Sequence, residues 1–478
     1  MNYLDLLTPF NPWWEKRTEG FEKLPAFRRP VFEEIYKGIK ELPQIISITG
    51  PRRVGKSTLI RQMIRQLLEE GISPNHLIYY SMDDPALFRT DIDHDQFFDF
   101  LMDMARKSSK KQRFYLFLDE IQRFSRWELF LKKYYDLDYP VRFTVSGSAS
   151  SPIFQKSRES LLGRIKDYHL LPFSFREFLL FRLQKQPDLV KEISAVHEVG
   201  ESVMGMLVGH LDYIERKGVS IPPLKTELKK HVNKELKNYL LEGGFPEVWS
   251  LPDWQSKQAY LFDNQVEKVI SEDLVLAAEF RKPELLKRFY VSLLAVPGRE
   301  INFQKLAKEI GINRANIEKY FPLLEMTDLV RHAEKFSKSP LRVRRGNIKC
   351  YLVDLTLRNA VLRLQEHLLE DPALLGLYAE NLVFNALKKW KGTINISYYR
   401  ERDTEVDFIV HTGAGTFSPI EVKYRDHFEE KDLRSLINFL RRFDLKQGIV
   451  VTKEERDFKQ IEKTILCIPL PHFLMLFD

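Results

Sequence analysis

The stretch Ile45-Ile46-Ser47-Ile48-Thr49-Gly50-Pro51-Arg52-Arg53-Val54-Gly55-Lys56-Ser57-Thr58 decides the fold. Its first five residues are an apolar, β-branched run, the pattern of a buried strand. The next eight satisfy G-x-x-x-x-G-K-[ST] in full, and a helical pattern follows over residues 57–70. Strand, glycine-containing turn and helix in that order make a phosphate-binding loop. The turn offers backbone N–H groups, and the helix N-terminus carries partial positive charge. Lys56 is placed to meet the β- and γ-phosphates and Ser57 to ligate Mg²⁺. Gly50, Pro51, Arg52, Arg53, Val54, Gly55, Lys56, Ser57 and Thr58 are the expected nucleotide-binding residues, with ATP and Mg²⁺ as the expected cofactors. A chance glycine turn is the competing reading, and the strand-to-helix context argues against it.

Downstream, Phe114-Tyr115-Leu116-Phe117-Leu118 is a second apolar strand, and it ends in Asp119-Glu120. A carboxylate there holds the Mg²⁺ shell in P-loop enzymes, and an adjacent Glu orients and activates water. Asp119 is therefore expected at the metal and Glu120 as the catalytic base. The bland alternative is a surface Asp-Glu capping the next helix. At the end of the run 141–148, Ser146 or Ser148 is a candidate sensor of the γ-phosphate, and a plain strand-ending turn competes equally. Arg164, after Gly163, is a candidate arginine finger acting within the chain or on a neighbour's nucleotide.

Around this core, strand patterns at 45–49, 77–81, 114–118 and 141–146 alternate with helix patterns at 57–70, 97–106 and 127–135. Such alternation builds a parallel sheet covered on both faces. The 478 residues suffice for about three domains. Hydrophobic residues make up 44% and aromatics 12%, with 34 Phe, so disorder is set aside. Two cysteines exclude a disulfide framework and a cysteine-based zinc site. No apolar run approaches a membrane span, and no signal peptide is visible. A cytoplasmic protein without membrane association is expected. The net charge of +7 permits nucleic-acid binding without demonstrating it.

The C-terminal part returns to strands at 393–400, 406–411, 420–424 and 448–452, after a helix over 374–390. Glu421 and Lys423 lie two apart on one strand and share a face. Asp407 on a neighbouring strand and Glu380 on the helix complete a candidate cluster. Two carboxylates can hold one or two Mg²⁺ ions that activate water against a phosphodiester. The lysine would stabilise charge or position that water. This is the D…E-x-K arrangement of the PD-(D/E)XK nuclease fold, and a charged sheet edge used only for binding gives the same spacing.

Between these ends, residues 302–310 and 313–324 read as two short helices around Gly311, with Asn313 as the cap of the second. A hairpin-like stretch to Leu352 is the expected wing of a winged helix. Residues 335–349 hold six basic residues and no acid: Lys335, Lys338, Arg342, Arg344, Arg345 and Lys349. With Arg314 these are the expected contacts to a DNA backbone.

These motifs in this order resemble a large bacterial and archaeal family of AAA+-like P-loop ATPases that carry a C-terminal PD-(D/E)XK nuclease-like domain. The segments that carry the resemblance include Leu118-Asp119-Glu120-Ile121-Gln122 and Leu171-Pro172-Phe173-Ser174-Phe175-Arg176-Glu177-Phe178. Gly243-Gly244-Phe245-Pro246-Glu247-Val248, Tyr351-Leu352-Val353-Asp354 and Tyr378-Ala379-Glu380-Asn381 extend it. The resemblance implies Lys56, Ser57, Asp119 and Glu120 as the nucleotide site, Arg164 as the finger, and Glu380, Asp407, Glu421 and Lys423 as the nuclease-like cluster. The expected fold is α/β: an aromatic segment over 1–29, a P-loop parallel-sheet ATPase domain over 30–180 and a helical lid over 181–250. A winged-helix domain over 251–347 and a PD-(D/E)XK-like α/β domain over 348–478 follow. The expected function is a Mg²⁺-dependent ATPase acting on DNA, as a possible homo-oligomer. An ATP-regulated endonuclease and a non-enzymatic nucleotide switch are the alternatives.

Overall fold

The computed structural model describes residues 3–88, 94–107, 113–124, 126–148, 160–207, 223–274, 283–295, 297–338, 347–390, 393, 395–413, 415–457, 459–461 and 464–477. The chain forms two compact units. The first comprises Met1–Leu171, Glu267–Arg281 and Met326–Asp328. The second comprises Pro172–Val266, Lys282–Glu325 and Leu329–Asp478.

In the first unit, β1 (Ile45–Gly50), β2 (Leu77–Ser81), β3 (Phe114–Asp119), β4 (Val141–Ser148) and β5 (Ile165–His169) form one sheet in the order β2-β3-β4-β1-β5. All four pairings are parallel. Every residue of β1 and β3 is buried, as a parallel sheet covered on both faces requires. Phe97, Phe98, Phe114 and Trp127 fill one core, each at 1% exposure or less. Burying such a side chain contributes about 1.5–3 kcal/mol. β5 was not expected. Its sequence, Ile-Lys-Asp-Tyr-His, has no apolar run because it is an edge strand that is largely accessible.

The N-terminal aromatic segment is part of this unit. The indole N–H groups of Trp13 and Trp14 donate to the Leu77 carbonyl at 3.2 and 3.1 Å. The Asn11 amide donates to the Tyr79 carbonyl at 2.9 Å and accepts from the Tyr79 N–H at 2.7 Å. Asn11 thereby pairs with the outer side of β2 as another strand would.

In the second unit, nine strands are found among the described residues. They are β6 (Glu300–Ile301), β7 (Val330–Lys335), β8 (Ile348–Leu352), β9 (Asn395–Glu401), β10 (Thr404–Gly413), β11 (Thr416–Lys423), β12 (Gly448–Thr452), β13 (Lys459–Ile461) and β14 (Ile465–Pro469). Their order is β13-β14-β12-β11-β10-β9-β7-β8-β6. The expected helix pair is present as Phe303–Ile310 and Arg314–Met326. Gly311 ends the first at φ +68°, a conformation that suits glycine. Asn313 caps the second by accepting from the Ala315 N–H at 2.8 Å. β7 and β8 are the antiparallel hairpin that follows. β7 also pairs in parallel with β9, so hairpin and C-terminal strands share one sheet and the expected boundary at 347/348 falls inside it.

The helices Pro187–Leu207 and Thr226–Glu242, expected as a lid, lie in this second unit, as does Phe175–Arg182, most of which was expected in the ATPase domain. Ser174 and Glu177 form a reciprocal capping box at the start of Phe175–Arg182. A buried knot joins two motif segments. Asp354 accepts from the Gly244 N–H and the Thr356 N–H, each at 2.8 Å. Gly243 is at φ +67°, and a Cβ there would sit 2.5 Å from the Asp354 carboxylate. A Cβ on Gly244 would sit 2.3 Å from the Phe173 carbonyl. Both glycines are therefore demanded by close approach.

Candidate nucleotide site and C-terminal cluster

β1, β3 and β4 run parallel, so Gly50, Asp119 and Ser148 finish at the same edge of the first sheet. The loop Pro51–Gly55 rises from β1 and turns into the helix Lys56–Glu69. Gly55 is at φ +95°, which sets the entry into the helix, and Arg53 is left-handed at φ +63°. A Cβ on Gly50 would lie 1.9 Å from the Leu170 carbonyl, so that position has no room for a side chain. Arg29, buried, donates to the carbonyls of Val54 and Leu171 at 3.2 and 2.9 Å and braces the loop from behind. Nothing in the local sequence marked Arg29, because its partners are backbone atoms remote in the chain.

Lys56 is buried and donates to the carbonyls of Gly50 and Pro51 at 3.0 and 2.7 Å. Ser57 is exposed, and Thr58 is half-buried. Their first-turn amides have no intrahelical acceptor. An ammonium, a helix N-terminus and a hydroxyl are a donor set that fits phosphate and a hard cation. Asp119, buried, accepts from the Tyr79 hydroxyl at 2.8 Å and the Glu120 N–H at 3.0 Å. It also accepts from Ser146. Ser146 is thus a fully buried brace on Asp119, and its hydroxyl is turned to that carboxylate rather than outward. Glu120 sits in the left-handed region at φ +51° and accepts from Gln122 Nε2 at 2.5 Å. Burial pushes its carboxyl above the usual range, with Lys56 opposing and Asp119 adding. Tyr79 and Gln122 join Arg29 as site residues to which the motifs assigned no role.

Arg52 pairs with Glu272 at 3.3 Å. Arg164 does not join the site. Its carbonyl accepts from the Ile45 N–H at the start of β1, five residues before Gly50. At about 3.3 Å per residue this is roughly 16 Å from the loop. Its guanidinium is held by Asp136 at 2.6 and 3.2 Å. A finger acting within this chain is therefore ruled out by position.

In the second unit, Asp407 and Glu421 face one another across β10 and β11. The Val422 N–H donates to Asp407 at 2.8 Å, and Lys423 pairs with Glu421. Glu380, on the helix Pro372–Lys389, accepts from the Tyr351 hydroxyl at 2.8 Å. Burial pushes the Glu380 carboxyl up to about 7 and the Glu421 carboxyl up to about 8, Asp407 adding to both. The four expected residues stand together, and a fifth stands among them. Lys349, expected on DNA, is only 3% exposed. Its ammonium lies 3.0 Å from Glu405, 3.1 Å from Glu380 and 3.6 Å from Asp407. The DNA-contact expectation for Lys349 is corrected accordingly, because a run of basic residues hid a strand residue pointing inward. Burial opposes its charge, but Glu380, Asp407 and Glu405 outweigh it and raise its pKa. As they stand these residues do not fit a divalent ion. Among the described residues, no group of three or more His, Cys, Asp or Glu side chains is disposed to hold a metal.

Of the other basic residues, Arg314 pairs with Glu318 at 2.9 Å, and Lys335 and Lys338 are exposed. Arg342, Arg344 and Arg345 lie outside the described residues. No helix among the described residues is long and apolar enough to cross a membrane.

Three parts of the chain match known family models. Residues 42–179 match the family model of an AAA domain. That span carries an AAA-type P-loop ATPase domain, most of it in the first unit. The AAA domain is followed by residues 233–368, which match a domain of unknown function (DUF8612), and residues 375–473, which match another (DUF4143). An uncharacterized protein of Methanocaldococcus jannaschii is 24% identical over 91% of this chain and 85% of its own length. A second from that organism is 26% identical over 78% and 73%, and one from Haemophilus influenzae is 21% identical over 77% and 80%. Among solved structures, the S. cerevisiae Hsp104–casein complex aligns at 13% identity and a TM-score of 0.30 over 62% of this chain. The alignment spans half of the Hsp104 chain. A DNA replication initiation factor aligns at 14% and 0.24, over 62% of this chain and 90% of its own.

Proposed function

We propose that the protein is a Mg²⁺-dependent ATPase that acts on DNA. The observation that carries the hydrolytic half is that the loop holding the Lys56 ammonium and the β3 carboxylates Asp119 and Glu120 finish at the same edge of one parallel sheet. Lys56 exchanges its two loop carbonyls for phosphate oxygens. Ser57 and, through its hydration shell, Asp119 would hold Mg²⁺, which when bound neutralises charge on the transferred phosphoryl group. Glu120 orients a water whose oxygen bonds to the γ-phosphorus. The bond to the β–γ bridging oxygen breaks, ADP leaves, and the proton passes to the Glu120 carboxylate. Tyr79 and Ser146 keep Asp119 fixed, and Gln122 keeps Glu120 fixed. Arg164, remote from its own loop, is suited only to a neighbouring copy's nucleotide.

The DNA half is supported by the helix pair around Gly311, the β7–β8 hairpin read as a winged helix, and exposed Lys335 and Lys338. The C-terminal sheet is read as a PD-(D/E)XK-like fold kept for binding. The test measures ATP hydrolysis with and without duplex DNA. Lys56→Ala should lower turnover by about 10²–10³-fold. Stimulation by DNA should fade in the double variant Lys335→Glu/Lys338→Glu. Wild-type turnover in Lys56→Ala would refute the hydrolytic mechanism, and tight ATP binding without turnover in the wild type would favour a nucleotide switch. Divalent-metal-dependent cleavage of DNA that Asp407→Ala removes would instead favour an endonuclease.

A further inference from the structure

We propose that the carboxylate cluster of the second unit is compensated from within the chain, with the Lys349 ammonium as its resident cation, so that it does not take a divalent metal. This inference is independent of the ATPase reading. Four carboxylates converge there: Glu380, Glu405, Asp407 and Glu421. Lys349 reaches the first three at 3.0 to 3.6 Å, and Lys423 takes the fourth.

The geometry is that of an ammonium site. Mg²⁺ needs oxygens at about 2.0–2.1 Å from a common point and Ca²⁺ at about 2.3–2.6 Å. The space between Glu380 and Asp407 is filled by a nitrogen at hydrogen-bond distance from Glu380 and in ion-pair contact with Asp407 at 3.6 Å. A metal entering beside it would put two cations within one low-dielectric pocket, where their repulsion is little screened. Each of the three carboxylates that Lys349 reaches has a further donor or cation beside it. The Tyr351 hydroxyl donates to Glu380, the Val422 N–H to Asp407, and Arg400 lies 3.7 Å from Glu405.

Withdrawal of the lysine is opposed by the strand that carries it. β8 is paired on both sides, by β6 and β7, and Cys350, Tyr351 and Leu352 after Lys349 are fully buried. Among the described basic residues between 335 and 349, Lys349 alone is buried. Its role is set by this strand and differs from that of the exposed Lys335 and Lys338.

The test is Mn²⁺ binding by the full chain without nucleotide, read by electron paramagnetic resonance of the free ion. Wild type and Asp407→Asn should bind Mn²⁺ alike. Lys349→Met should tighten binding at one site by about 10–100-fold, and adding Asp407→Asn should remove that gain. An Asp407-dependent Mn²⁺ site in the wild type would overturn the proposal without reference to any lysine variant. So would a folded Lys349→Met chain that gains no site. Lys349→Gln, which keeps a polar group between the carboxylates, serves if the methionine variant does not fold.

Discussion

Glu120 shows how much of the nucleotide site depends on one backbone conformation. Its left-handed φ turns the residue after β3 away from the strand direction, and Gln122 then fixes the carboxylate. Such a conformation in a non-glycine residue costs of order 1–3 kcal/mol, which the surrounding fold must supply. Burial raises its pKa, and only its charged form accepts a proton. Activity is therefore lost as pH falls through that raised pKa, so the acid limb of the rate profile lies above that of an ordinary glutamate. Glu120→Gln should keep ATP binding, lower turnover by about 10²–10⁴-fold and abolish that limb. An unchanged limb in the variant would reassign the base. The lysines make a complementary point. Lys56 was legible because its spacing is tied to a glycine turn. Lys349 was not, because no local pattern distinguishes an inward lysine on a strand from its solvated neighbours.

At the scale of elements, strands written as apolar runs were legible in the sequence, whether central like β1 and β3 or at an edge like β2, and strands interrupted by charged residues were not. β1, β2 and β3 are apolar runs and announce themselves, whereas β5 and β13 carry charged residues that read as loops. The helix pair around Gly311 was legible through its cap and its αL glycine. The parallel pairing of β7 with β9, which merges the hairpin with the C-terminal sheet, was not, since pairing of distant strands leaves no local trace. The Asp354 knot belongs here too, because it ties the Gly243-Gly244 turn to the start of the helix Leu355–Leu362. Asp354→Ala orphans the Gly244 amide and the Thr356 groups in a buried place. Urea unfolding should show a loss of about 1–3 kcal/mol in the second unit. Unaltered stability would mean that water replaces the carboxylate.

At the scale of the whole molecule, Arg164 raises the question of assembly. It sits at the far end of the sheet from its own loop, so a catalytic role requires a second copy. Arg164→Ala should then lower turnover by about 10³-fold. Mixing it with Lys56→Ala should restore part of the activity, since one variant supplies the arginine and the other the intact loop. Wild-type turnover in Arg164→Ala alone would exclude the shared site. Any such assembly is constrained by Asn11, Trp13 and Trp14. Their side chains already saturate the outward carbonyls of Leu77 and Tyr79 and the amide of Tyr79. A sheet whose margin is closed in this way offers no template along β2. Copies of the chain can meet there only through side chains, so a ring built from them is joined by faces and not by a continuous ladder across that edge.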